Sequence, residues 1–184
     1  MDEATIVGHD IGGGVALRLA ALHPKRVRQL CILNAVCYDS WPIEAMLQFG
    51  HPEVRRRISA STALTMLKQA LKLGFATSPP KDLLDSWLAP YATEVGKCSL
   101  IRNAAALNTN LTTELTPLLP KVSVPTLILW GEDDAFQLVR YGERLAWDLP
   151  QARLHRIPEA RHFVMADQPD TVLRLLTEFL DNQD

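Results

Sequence analysis

The chain has 184 residues, 47% of them hydrophobic and 22% charged, with 12 Pro and 9 Gly. These fractions exclude disorder and fibrous repeats, and the length suits one buried core. Nineteen Lys and Arg against 21 Asp and Glu give a formal net charge of −2, without the basic surplus of a nucleic-acid or anionic-membrane binder. No apolar run approaches the ~18 residues of a membrane span, and the acidic start Met1-Asp2-Glu3 is unlike a secretory signal. Cys31, Cys37 and Cys98 are odd in number and form no CxxC pair. That pattern fits buried thiols in a reducing compartment, so a cytoplasmic location is expected.

In chain order, Ala4–Gly8 is a short apolar, β-branched run, read as a strand buried on both faces. A tight turn over His9–Gly14 follows, then a helix over Val15–His23 stopped by Pro24, then a strand over Val27–Leu33. Strand, turn, helix and strand make one βαβ unit and predict a parallel sheet. From Ser40 to Leu119 the pattern turns helical, clearest over Ile58–Leu73 with Leu64, Leu67 and Leu71 on one face. Arg55-Arg56-Arg57 reads as a solvated helix face.

The α/β rhythm then resumes. Thr126–Trp130 is a strand, Gln137–Leu149 a helix, Ala152–Ile157 a strand and Pro169–Leu180 an amphipathic helix. The chain divides into an α/β core over 1–39, a helical cap over 40–119 and a second core segment over 120–184. The four strands are expected to lie parallel in sequence order.

Reactive groups of open parallel sheets collect at the carboxyl ends of strands. Asp10, Asp134 and His162 each follow a strand. Asp10 stands in Gly8-His9-Asp10-Ile11-Gly12, with small residues two positions to either side at a strand-to-helix turn. Such a turn holds its central residue in strained backbone, and glycines let the chain pass closely. It also leaves the Ile11 N–H at a helix start, where it can meet an oxyanion. Asp133 rivals Asp134 as the acid, Asp39 is an outside alternative, and His9 reads as structural. His51 and His155 have no ligand-spaced partners, so neither metal nor cofactor is implied.

The segments Val7–Gly13 (VGHDIGG), Pro125–Asp134 (PTLILWGEDD) and Pro158–Pro169 (PEARHFVMADQP) resemble the α/β-hydrolase fold family. More narrowly they resemble its aspartate-nucleophile branch, the haloalkane dehalogenases and epoxide hydrolases. The family order of nucleophile, acid and histidine matches Asp10, Asp134 and His162, and the acid's place three residues after the glycine selects Asp134. The resemblance implies a hydrolase of alkyl halides or epoxides working through an aspartyl ester. Ile11 stands where many haloalkane dehalogenases carry Trp. Tyr38, Tyr91, Trp41 and Trp87 are the aromatic donors available to a small-molecule substrate, although buried core positions are their default.

The resemblance also implies several strands ahead of the elbow, about the first third of the fold. With only nine residues before Asp10, the expectation is a truncated start or a complementing chain. Ala4–Gly8 would then be a bare apolar edge through which the chain self-associates. A non-catalytic fragment serving as an interaction subunit is the alternative. An esterase or lactonase is disfavoured because Asp10 stands where serine would.

Overall fold

The computed structural model describes residues 2–181. In chain order it runs β1 (Ala4–His9), α1 (Ile11–Leu22), β2 (Val27–Leu33), then the helices α2 (Glu44–Phe49), α3 (Pro52–Arg57), α4 (Ala60–Lys72), α5 (Lys81–Leu88), α6 (Glu94–Ala105) and α7 (Asn110–Thr113). It continues with β3 (Thr126–Gly131), α8 (Val139–Asp148), β4 (Ala152–Ile157), α9 (Val164–Asp167) and α10 (Pro169–Asp181). Every strand pair is parallel, and the order is β1-β2-β3-β4. The sheet expected from the strand runs is the sheet found. Among the described residues no helix is long and apolar enough to cross a membrane.

Two apolar layers sandwich the sheet. Leu17 and Ala20 of α1 and Leu145 and Leu149 near α8 bury Leu30, Ile32, Ile128 and Trp130 on one face. Val172 and Leu175 of α10 cover Cys31, Leu33, Leu127 and Leu129 on the other. β2 and β3 are thus covered on both sides, which is why they read as continuous apolar runs. β1 has a neighbour on one side only, and its Val7 is 50% exposed.

Three helix starts differ from the expected ones, each for a physical reason. α1 begins at Ile11, directly after Asp10, so Gly12–Gly14 are helical rather than a turn. Glycine is a poor helix former, but here the helix must lie against the chain leaving β2. A Cβ on Gly13 would stand 2.3 Å from the Ala35 Cβ, and one on Gly14 2.7 Å from Val36. α8 begins at Val139 rather than Gln137. The Gln137 N–H donates to Asp134 and its carbonyl accepts from the Trp130 indole, so the residue is used by the turn. α4 begins after Ser59, whose hydroxyl accepts from the Thr62 N–H as an N-cap.

The Arg55–Arg57 run is exposed on α3, with Arg56 and Arg57 paired to Glu53, as a solvated face should be. A third apolar cluster joins the insertion to the rest of the chain. Phe75, Leu84 and Leu88 pack on Phe163, the residue after His162.

The glycines of α1 give a paired prediction. A Cβ added at Gly12 would meet nothing within 4 Å, whereas one at Gly13 would meet Ala35. Gly13→Ala should cost about 1–3 kcal/mol by overpacking, and Gly12→Ala should be neutral or stabilising by up to about 1 kcal/mol. Urea unfolding of the two variants measures the contrast; equal effects would refute close packing of α1 as the reason for Gly13.

Candidate active site

The carboxyl ends of β1, β2 and β3 converge with the loop after β4. Asp10 leaves β1 with φ 50° and ψ −122°, a left-handed conformation that costs a non-glycine residue about 1–3 kcal/mol. Gly8 makes the turn possible: a Cβ there would stand 2.5 Å from the Gly12 carbonyl oxygen. The Asp10 carbonyl accepts from the N–H groups of Gly13, Gly14 and Val36, which hold the turn shut. Its side chain makes no helix-capping hydrogen bond. The carboxylate is therefore not spent on α1, and it is partly exposed with Oδ1 3.8 Å from His162 Nε2.

His162 is 4% exposed, and its Nδ1 lies 3.0 Å from Asp134 Oδ2. A carboxylate only accepts, so Nδ1 carries the hydrogen and Nε2 presents its lone pair towards Asp10. Asp134 is 2% exposed, a burial that needs compensating donors. It has them: His162 Nδ1, Asn34 Nδ2 at 2.7 Å, the Phe136 N–H at 2.7 Å and the Gln137 N–H at 3.0 Å. Asp133 is exposed, as is Asp39. The carboxylate facing the histidine is Asp134.

Asn34 was not singled out by sequence reasoning. It is fully buried at the end of β2, donates to Asp134 and accepts from the Gly131 N–H at 3.2 Å. Its φ of 37° is one that Asn tolerates better than most residues. A lone Asn after an apolar strand was the only signal. Its meaning depends on β3 lying alongside.

His9 is tied to the histidine segment. Its Nε2–H donates to the His162 carbonyl at 2.9 Å, and the two rings lie 4.7 Å apart. Burial, with the neighbouring His162 next in weight, holds the His9 imidazole below its ordinary 6.5. Ile11 is the first residue of α1, where helix geometry gives its N–H no intrahelical acceptor. That N–H belongs to the peptide that directly follows Asp10.

The four aromatic residues separate into two groups. The Tyr38 hydroxyl donates to Asp148 at 2.7 Å, beneath the Arg144 guanidinium. The Trp41 indole donates to Thr112 at 2.7 Å. These donors tie the insertion and α8 to the sheet rather than facing the histidine. Trp87 packs on Phe163 with ring centroids 5.1 Å apart, and Phe163 in turn lies 5.1 Å from His162. Tyr91 packs in the same cluster at the outer end of α5. Among the described residues no group of three metal-ligating side chains forms.

Chemically, the arrangement offers a carboxylate in strained backbone, an imidazole lone pair beside it and a buried acid that stabilises that imidazole when it is protonated. Replacing Asn34 by Ala leaves Asp134 short of a donor and Gly131 without its acceptor. A loss of about 1–3 kcal/mol is expected, read by urea unfolding, together with reduced turnover as His162 loses its support. Unchanged stability would show that Asn34 is replaceable by solvent.

His9 predicts a pH dependence. With its folded pKa below 6.5, the unfolded chain binds the proton first. The stability that neutral His9 contributes is fully present above about 6.5 and is lost as pH falls towards the folded value. Unfolding free energies of His9→Gln should fall less steeply than wild type over that window. Identical slopes would assign the acid limb to other groups.

Among curated proteins the chain is similar to cis-3-alkyl-4-alkyloxetan-2-one decarboxylase of Shewanella oneidensis, 26% identical over 97% of this chain and 60% of the relative. It is also similar to 2-hydroxy-6-oxo-6-phenylhexa-2,4-dienoate hydrolase of Burkholderia cepacia, 27% identical over 99% of this chain and 64% of the relative. A third relative is the pimeloyl-acyl-carrier-protein methyl ester esterase of Neisseria meningitidis, 28% identical over 97% of this chain and 70% of the relative. The chain thus spans 60%, 64% and 70% of these relatives' lengths. Its fold superposes on an alpha/beta hydrolase fold protein from Burkholderia ambifaria with a TM-score of 0.89, at 22% identity, over 97% of this chain and 66% of that one. The alpha/beta hydrolase fold profile matches residues 1–169, an interval that holds β1 to β4 and all three of Asp10, Asp134 and His162, and the chain belongs to that family.

Proposed function

We propose that this protein is a hydrolase of small molecules bearing a leaving group on saturated carbon, alkyl halides or epoxides, acting through an ester on Asp10. The observation that carries this reading is the carboxylate at the elbow, free of capping duty and 3.8 Å from His162 Nε2. A carboxylate attacking an ester carbonyl would give a reactive anhydride. Attacking saturated carbon, it gives an alkyl ester that water can cleave. The relatives named as a hydrolase and an esterase support hydrolysis in general.

The steps follow from the residues. Asp10 Oδ1 bonds to the substrate carbon while the carbon–halogen or carbon–oxygen bond breaks, the leaving group keeping the electron pair. His162 Nε2 then takes a proton from water, whose oxygen adds to the carboxyl carbon of the Asp10 ester. The Ile11 N–H supports the oxyanion that forms. The ester bond breaks and the departing alkoxide takes the proton from His162; the carboxylic acid left on Asp10 gives its proton to solvent or to the alkoxide released by an epoxide, which restores the carboxylate. Asp134 stabilises the imidazolium between these events.

His162→Gln should still be alkylated at Asp10 and then stall. Incubated with a 1-haloalkane or a terminal epoxide, the variant should carry the substrate-derived mass on the peptide holding Asp10. Asp10→Ala should lose at least about a thousandfold in turnover with its fold unchanged. Hydrolysis of p-nitrophenyl esters by Asp10→Ala at the wild-type rate, with no adduct in His162→Gln, would overturn the aspartyl-ester reading. Absence of turnover and adduct in every case would favour the non-catalytic alternative.

A further inference from the structure

A carboxylate that the reaction does not use joins the histidine loop to the helical insertion. Asp167 closes α9, five positions after His162, in the segment Pro158–Pro169. Its Oδ2 accepts from the Arg161 N–H at 2.8 Å, and its Oδ1 accepts from the Ala76 N–H at 3.0 Å. One side chain therefore holds the residue before His162 and the loop between α4 and α5 at once. Hydrogen bonds from backbone N–H groups to an ionised acceptor are roughly twice as strong as neutral ones.

The contacts around this clamp converge on the imidazole. The Phe163 N–H donates to the Gly74 carbonyl at 3.0 Å, and the His162 carbonyl accepts from His9 Nε2 at 2.9 Å. Backbone groups of three successive residues, Arg161, His162 and Phe163, are thus each held from outside the loop or by Asp167. Between the two ties to the insertion lies Phe75, whose ring centroid is 4.5 Å from that of Phe163. Gly74 permits the approach, because a Cβ there would stand 2.8 Å from the Phe163 ring. The His162 ring in turn lies 5.1 Å from Phe163 and 5.2 Å from Phe136. Its Nδ1 must meet Asp134 Oδ2 at 3.0 Å, and a displacement of about 1 Å in such a group can cost about a hundredfold in rate.

We propose that Asp167 is a positioning residue for His162. Its two oxygens fix the histidine loop against the insertion, so that the imidazole meets Asp134 with Nδ1 and faces Asp10 with Nε2. It acts through the Arg161 backbone rather than on the substrate. The effect on the imidazole follows from these hydrogen bonds alone; the effect on turnover rests on the aspartyl-ester reading. On that reading only the second step needs His162, so loss of Asp167 slows ester hydrolysis and spares alkylation of Asp10.

Long-range proton–nitrogen NMR correlations of the His162 ring, assigned by their loss in His162→Gln, read which ring nitrogen carries the hydrogen. At about pH 9, above the ordinary imidazole value, the wild-type ring should be in the Nδ1–H form. Asp167→Ala should show at least about a fifth of the Nε2–H form, and Asp167→Asn, which keeps one acceptor oxygen, a smaller share. Lys97→Met is the control: Lys97 is 5% exposed and its Nζ donates to the Ile58 carbonyl at 3.0 Å. Its loss loosens the insertion without touching the histidine loop, and the His162 ring should keep its wild-type spectrum. With a 1-haloalkane or a terminal epoxide, Asp167→Ala should lower kcat about 10–100-fold. KM should fall alongside, with the adduct on Asp10 accumulating. A changed ring spectrum without any adduct would uphold the positioning role and count against the aspartyl ester instead. Should Asp167→Ala fail to fold, Asp167→Asn decides on the same terms. Ring spectra that do not differ between wild type and the Asp167 variants, or that change equally in Lys97→Met, would overturn the proposal.

Discussion

A buried carboxylate organises this molecule. Asp134 sits at 2% exposure with four donors around it, from His162, Asn34 and the N–H groups of Phe136 and Gln137. Removing an ion from water costs several kcal/mol unless such partners are in place, so each donor's carrier is constrained. Asn34 must stand at the end of β2, which requires β2 and β3 to pair in the register that places Leu33 opposite Leu129. The turn after β3 must stay open for two N–H groups, which delays α8 to Val139. The loop after β4 must bring His162 inward, and Gly131 permits it, since a Cβ there would stand 2.3 Å from the Arg161 carbonyl oxygen.

The strain at Asp10 is supported from the other side of the same region. Its backbone N–H donates to the Leu33 carbonyl and its carbonyl accepts from Val36, both on the chain segment that carries Asn34. The segment leaving β2 therefore fixes the elbow and the acid together. His9 adds a third tie, from the residue before Asp10 to the His162 backbone. A left-handed aspartate persists because these bonds over-determine it.

Much of this was legible in the sequence because the signals were local. The apolar runs of β2 and β3, the glycines around Asp10 and the spacing from Gly131 to Asp134 each depend on a few adjacent residues. What escaped depends on contacts distant along the chain. Asn34 matters only because Asp134, a hundred positions later, comes to lie beside it. The helical start at Ile11 defied propensity because Ala35 and Val36 demand glycine on the facing helix. Tyr38 and Trp41 looked like donors for a substrate. Their partners Asp148 and Thr112 lie far along the chain and are invisible to any pattern near position 40.

The distance between Asp10 and His162 bears on the chemistry as much as their identities do. A serine at the elbow must surrender its proton to the histidine before it attacks, and that transfer requires a hydrogen bond of about 2.6–3.2 Å. A carboxylate attacks as it stands. At 3.8 Å His162 Nε2 stands near Asp10 Oδ1 without a hydrogen bond between them, an arrangement that suits a base held for the second step of the proposed reaction. On the proposed reading, His162 has no work to do until the ester exists. The charge that then develops on its ring is met by Asp134, whose other donors already hold it in place. A division of labour of this kind separates a nucleophile that needs no activation from a histidine reserved for water. On the proposed reading that division follows from the aspartate at position 10.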